Sequence, residues 1–426
     1  MSQLALLGGK PVIDGPLPRY RSVGEGEKRA VIRVIEDDCL SGFYGNWCDE
    51  FFGGPRVREF EEKWARRFGV RHAVSVNSAT SGLMAAMGAV GVQPGDEVIV
   101  PPYTMSATAV APLLYGGIPV FADIEAETFC LDVGQVRALI GPRTKAILAV
   151  NLFGHPARLA ELRRLADERG IYLVEDNAQG PLASEDGRFA GTVGHIGVFS
   201  LNYHKHIHTG EGGVCVTDDD DLCLRLQMIR NHAENIVDPL GRTDLANLVG
   251  FNWRLTELSA AVGLVQLERA EEQVGRRERL ALRLSAGMEG LEGLRAPAVR
   301  PGCRHVFYAW SLRLDEEVLG VSRAQFSRAL AAEGFPHGVG YVAPLYLLPV
   351  FQRRIAFGAH PFNLTARTYP KGLCPVTERL HERELLGYEI CAYRVDDELA
   401  DRLIACIRKV HRGRAELAAA RAEGDR

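Results

Sequence analysis

The 426 residues, 46% of them hydrophobic, can fill a large core and predict one main domain with a smaller one beside it. A charged fraction of 24%, a formal net charge of -4 and the lack of any basic stripe argue against a nucleic-acid partner. No apolar run approaches the roughly 18 residues of a membrane span, and the opening MSQLALLGGKPVIDG lacks a signal-peptide layout, so a cytoplasmic protein is expected.

Residues 41–54, SGFYGNWCDEFFGG, hold five aromatics: Phe43, Tyr44, Trp47, Phe51 and Phe52. From about residue 70, short apolar runs alternate with helical patterns. AVSVN (73–77) reads as a strand and TSGLMAAMGAVG (80–91) as a helix of small residues. EVIVP (97–101), IPVFADI (118–124), KAILAVNLFG (145–154) and IYLVEDNA (171–178) read as further buried strands. LAELRRLADERG (159–170) is an amphipathic helix between the last two, and GVFSL (197–201) and GVCVTD (213–218) complete the series. Strands buried on both faces and alternating with helices predict a mainly parallel α/β sheet. Residues 256–288, TELSAAVGLVQLERAEEQVGRRERLALRLSAGM, read as a long helix, after which the pattern changes. This predicts a large domain over 1–265 and a smaller C-terminal one over 266–426. The tail after Arg412 is charged and reads as a segment that frays. The nine cysteines are odd in number and scattered, with no CxxC, which fits reduced thiols buried mostly as small apolar side chains.

The stretch FSLNYHKHIHTGEGG (199–213) concentrates the chemistry. Lys205, one of only seven lysines, stands among His204, His206 and His208 just before a glycine-rich turn. Alternating histidines share a face in a strand and suit zinc, but Thr-Gly-Glu-Gly-Gly favours a bend. Three polar loop histidines, or histidines near a substrate or cofactor, are the other readings. A nucleotide P-loop does not fit, because the lysine precedes the glycines. A lysine in covalent union with pyridoxal phosphate needs three kinds of help: an acid at the pyridine nitrogen, hydroxyls and amides around the phosphate, and a fixed but swinging amine. Asp176 ends the strand run IYLVEDNAQG, where α/β sheets place ligands. Thr80 and Ser81 lie in NSATSG between strand and helix, which is either a phosphate site or an ordinary helix cap. Ser200 precedes Lys205 at the end of another strand.

These residues resemble the DegT/DnrJ/EryC1/StrS family of pyridoxal-phosphate-dependent aminotransferases, which act on nucleotide-linked keto-sugars and keto-cyclitols. The likeness runs from about residue 5 to residue 410. It is carried in order by GDEVIVPPYTMSATA (95–109), FADIEAETFCLD (121–132), YLVEDNAQG (172–180), FSLNYHKHIHTGEGG and GFNWRLTELSAAVGLVQL (250–267). The resemblance implies the aspartate-aminotransferase-like type I fold, a homodimer with active sites at the interface, and glutamate or glutamine as donor. It makes Lys205 the Schiff-base lysine and Asp176 the acid at the ring nitrogen. Gln179 becomes the side chain at the ring O3′, and Thr80, Ser81 and Ser200 become phosphate ligands. Asn252 matches an asparagine that reaches the neighbouring subunit's cofactor phosphate. His204, His232, Tyr44 and Trp47 are candidates for the substrate side.

The chain departs from the family pattern twice. Met105 stands where many members stack an aromatic on the cofactor ring, and loop 41–54 is longer than usual. The opening LALLGGKPV resembles the cyclitol and aminoglycoside-precursor branch, with a nucleotide-linked sugar as the alternative substrate. A sister branch has histidine at the lysine position and dehydrates sugars; Lys205 favours transamination. The rivals are a dehydratase, lyase or oxidative enzyme on the same fold, and a non-catalytic regulator. A nicotinamide-binding Rossmann enzyme would need a GxGxxG that NSATSG does not supply.

Overall fold

The computed structural model describes residues 3–424. All seven runs read as central strands form strands: β1 His72–Val76, β2 Glu97–Val100, β3 Ile118–Phe121, β4 Thr144–Val150, β5 Tyr172–Asp176, β6 Ile196–Ser200 and β7 Gly213–Thr217. They make one sheet in the order β1-β7-β6-β5-β4-β2-β3. The pairs from β6 to β3 are parallel, and β7 runs antiparallel to both neighbours.

Side chains alternate along a strand, and both faces of this sheet are covered. On one face Ile147, Leu173 and Phe199 pack with Phe60, Trp64 and Phe68 of helix Pro55–Phe68 and with Leu162 and Leu165 of helix Leu159–Arg169. On the other, Leu148, Val174 and Val198 meet Leu83, Ala86 and Met87 of helix Ala79–Ala89 and Leu226 and Ile229 of helix Asp220–Arg230. Continuous apolar runs, not alternating ones, follow from this double burial.

The stretch read as one long helix is two, Glu257–Glu268 and Ala270–Ala286, with a break at Arg269. Arg269 donates to the Ser22 carbonyl at 3.0 Å and to the Glu27 carboxylate at 3.3 Å. The break lets the first helix pack on the main sheet through Ala260, Leu264 and Leu267, while the second carries Ala281 and Leu284 into another core. That core sits on a four-stranded antiparallel sheet built from Leu294–Arg295, Trp310–Leu314, Leu385–Tyr388 and Gly338–Val339. Helix Asp397–Arg412 covers it, and Leu4 and Ile13 from the start of the chain join it. Residues 345–374 return to the main sheet, where Tyr346, Phe351, Phe362 and Tyr369 pack beside Phe121.

The tail is not frayed through its described part. Arg414–Gly424 is helical, and Leu417 is buried in the C-terminal core. Its alanine-rich sequence favours helix once Leu417 has a core to enter. All nine cysteines are free thiols, five of them buried. No helix among the described residues is long and apolar enough to cross a membrane.

Candidate active site

A chamber of about 230 Å³ opens beyond the carboxyl ends of β4, β5 and β6, with the first turn of helix Ala79–Ala89 at its edge. Sheet direction explains the gathering. β1 runs the same way as β6, so the helix that follows it starts at the same edge. Ser78 caps that helix and accepts from the Ser81 amide at 3.1 Å. The amides of the first turn have no partner within the helix and point outward. β7 must pass directly beneath this turn: a Cβ added at Gly213 would lie 2.7 Å from the Ala79 nitrogen. The final glycine of GEGG therefore permits a backbone contact that any side chain would prevent.

Lys205 enters the chamber from the loop between β6 and β7. The Lys205 amide donates to the Asn202 carbonyl at 2.9 Å, and the Leu201 and Gly212 backbones pair at 2.8 Å. The three flanking histidines separate. His206 is fully buried and bonds the Val306 carbonyl at 2.9 Å. His208 meets the Ser22 hydroxyl. His204 is exposed at the chamber, and burial of its ring edge with the nearby Lys205 charge holds its pKa down at about 4. Rings with three different surroundings do not converge on one ion. Lys205 Nζ has no hydrogen bond or ion pair among the described residues and lies over the Tyr308 ring, 4.3 Å from its centroid. Burial lowers its pKa to about 8, opposed by the Asp176 carboxylate.

Asp176 is buried at the end of β5. Its Oδ2 accepts from the Thr108 hydroxyl at 2.8 Å and its Oδ1 from the Ala178 amide at 3.1 Å. Desolvation pushes its carboxyl upward, against those two bonds and the Lys205 charge. The preceding residue does structural work: buried Glu175 accepts from the Gly191, Val193 and Gly194 amides at 2.6–2.8 Å and so ties down the return loop.

Gln179 lines the chamber, accepting from the Phe153 amide at 2.7 Å and donating to the Tyr341 hydroxyl at 2.9 Å. Thr80, Ser200 and Met105 line it too, with Met105 59% exposed. Ser81 does not: its hydroxyl turns back to the Asn77 side chain at 2.6 Å and the Ser78 carbonyl at 2.8 Å. Asn252, Tyr44 and Trp47 are exposed and His232 half-exposed, all outside this chamber's walls. Loop 41–54 is pinned instead by Asn231, which donates to the Tyr44 and Phe51 carbonyls at 2.8 and 3.1 Å.

Sequence reading missed Thr108, Tyr308 and Tyr341. Thr108 sits inside the quoted run PPYTMSATA, and its hydroxyl three residues past Met105 was a usable signal. The two tyrosines come from distant segments and carried none.

The sequence profile described as the DegT/DnrJ/EryC1/StrS aminotransferase family matches residues 44–385. An L-glutamine:2-deoxy-scyllo-inosose aminotransferase of Streptoalloteichus tenebrarius is 34% identical, over 98% of this chain and 99% of its own. A GDP-perosamine synthase of Caulobacter vibrioides is 36% identical, over 70% of this chain and 79% of its own. Among solved structures, an aminotransferase from Psychrobacter cryohalolentis superposes with a TM-score of 0.81 at 26% identity, over 93% of this chain and 98% of that one. With a lysine-bearing chamber at the strand ends and these matches along most of its length, the chain belongs to the DegT/DnrJ/EryC1/StrS family of pyridoxal-phosphate-dependent aminotransferases.

Proposed function

We propose that this chain transfers an amino group from glutamate or glutamine to the ketone of a polyhydroxylated ring, a keto-sugar or a keto-cyclitol, with Lys205 holding pyridoxal phosphate. The observation that carries this reading is an unmatched pair on one chamber: an amine with no anionic contact and a buried carboxylate with no cation bonded to it. Burial disfavours the charged form of each. A cofactor with a protonated ring nitrogen, an aldehyde and a phosphate fits that mismatch. Asp176 would face the ring nitrogen and keep it protonated. Lys205 would hold the aldehyde carbon, aided by a pKa near 8 that leaves part of the amine neutral. Thr80, Ser200 and the free amides at the start of helix Ala79–Ala89 suit a phosphate. Met105 offers a thioether to one ring face.

When bound, the cofactor supplies an electron sink that acidifies the carbon carrying the transferred nitrogen. Lys205, with its amine free, would take that proton as general base and, as acid, deliver it to the carbon on the far side of the nitrogen. Thr108 and the Ala178 amide hold the Asp176 carboxylate in place throughout. Tyr308 covers the amine and keeps bulk water from its near side.

The inosose-dependent relative supports a cyclitol ketone, and the perosamine relative supports a nucleotide-linked one. Asn252, Tyr44, Trp47 and His232, none of them on the walls of their own chamber, suit a homodimer in which each chain completes its partner's site. The test is the absorption spectrum of purified protein before and after glutamine or glutamate. A visible band that gives way to a near-ultraviolet one on donor addition is the expected result. Protein that stays colourless with added cofactor would overturn the reading.

A further inference from the structure

Beside the Lys205 chamber lies a second cavity of about 450 Å³. Tyr308 and Tyr341 belong to the walls of both. Phe153 and Tyr393 add two more aromatic rings, and Glu389 adds a carboxylate. Glu389 is exposed, and its carboxylate makes no hydrogen bond or ion pair among the described residues. It shares this wall with Tyr308 and Tyr341, the two side chains that also line the Lys205 chamber. His337 does not balance it. Both ring nitrogens are engaged, with the Ser327 hydroxyl at 2.8 Å and the Phe335 carbonyl at 3.0 Å, and burial lowers its pKa. Among the described residues, no arginine and no lysine but Lys205 lines either cavity.

The floor points the same way. Gly338 and Gly387 are register partners on neighbouring strands. Neither has a positive φ, and a Cβ at either would meet nothing nearer than 3.7 Å. Backbone and packing would both accept a side chain there, so the effect of the two glycines is to keep the cavity open.

We infer that this outer cavity selects an uncharged polyhydroxylated ring, a free keto-cyclitol, over a nucleotide-linked keto-sugar, with Glu389 as the specificity-determining residue; this rests on the transaminase reading above. Ring hydroxyls donate to a carboxylate, and the C–H faces of such a ring pack on aromatic side chains. A diphosphate needs arginine, lysine or free helix amides. The walls that this chain supplies would meet it with a carboxylate, a repulsive element against the wrong substrate.

The test uses the holoenzyme with glutamine as donor and compares a free keto-inositol with a thymidine-diphosphate keto-sugar. The expected kcat/KM favours the free ring by about 100-fold or more. Glu389→Gln is expected to raise KM for the free ring about 10- to 100-fold with a smaller change in kcat, and Glu389→Asp to recover part of it. Gly387→Val, which fits the strand, should raise the same KM by filling the floor. Preference for the nucleotide-linked sugar, acceptance of neither ketone, or an unchanged KM in Glu389→Gln would overturn the inference. Glutamine alone, followed by absorbance in single turnover, separates the failures. If that step runs and the ketone preference is reversed, only the selection falls; if it does not run, the transaminase reading falls and this inference with it.

Discussion

The inner and outer cavities share two tyrosines yet are built in opposite ways. The inner one is assembled from strand ends and one helix start, each within a few residues of a glycine or a cap, and its groups are oriented by backbone bonds. The outer one is assembled from residues near 153, 308, 340 and 389, brought together by the pairing of the C-terminal sheet and by the Tyr308 amide, which donates to the Phe153 carbonyl at 2.7 Å. Chemistry common to a family belongs where geometry is over-determined, and substrate choice belongs where side chains can change without disturbing a strand end. The two regions should therefore respond differently to mutation: the inner through kcat and spectrum, the outer through KM.

The strongest way to break that contrast is Lys205→Ala. On the proposed mechanism it removes the amine that holds the cofactor and moves the proton, so turnover should fall by at least about 10²- to 10⁴-fold, and the visible band should vanish. Lys205 forms no ion pair among the described residues, so the thermal midpoint of the cofactor-free protein should hardly move. Residual visible colour with turnover would mean that another residue carries the cofactor.

Asp176→Asn comes next, with an expected loss of about 10²- to 10³-fold in kcat. It also sharpens the electrostatic argument. Cofactor capture by cofactor-free protein needs the neutral amine, so its rate should rise with pH and level off above about 8. The Asp176 charge holds the Lys205 pKa up. Asparagine should therefore bring the plateau to a lower pH, while a plateau moved upward would contradict the assigned pairing. Thr108→Val removes one hydrogen bond to the same carboxylate and leaves the Ala178 amide in place. A loss of about tenfold in kcat/KM is expected, visible in kcat rather than in the KM of the ketone.

The same contrast explains what could be read from sequence. All seven strands of the main sheet were legible because burial on both faces makes continuous apolar runs. Asp176, Thr80 and Ser200 stood out at or near the ends of those runs, Lys205 among its histidines and glycines, and Gln179 only through the family resemblance; the five meet on one chamber. Ser81 was one residue off in effect: at the third position of the helix it serves the cap rather than the chamber wall. The break at Arg269 was hidden because both flanking segments are good helix formers, and the two cores that bend the chain apart are tertiary facts. Glu389 and Tyr341 lie just past the ends of two short strands, Leu385–Tyr388 and Gly338–Val339, so nothing local announced them.

The smallest effect belongs to a third region, loop 41–54, which faces neither cavity of its own chain. Its five aromatics divide. Phe51 is fully buried and Trp47 and Phe52 pack on it, with ring centroids 5.4 and 5.5 Å away, while Trp47 keeps 41% of its surface exposed. A deletion across 46–53 would remove Phe51 and so confound folding with function. Trp47→Ala is the cleaner probe, with an expected stability change within about 1 kcal/mol. If the loop reaches a partner chain's site, KM for the ketone should rise about fivefold, roughly 1 kcal/mol, with kcat preserved. Mixing two inactive proteins decides whether sites are shared. Lys205→Ala chains refolded with Asn252→Ala chains form hybrids in which one site carries both changes and the other carries neither. About a quarter of wild-type activity should return if dimers assort at random and Asn252 serves its neighbour. No recovery would confine Asn252 to its own subunit and leave the loop's buried aromatics as packing for Met228, Ala233, Ile236 and Leu248.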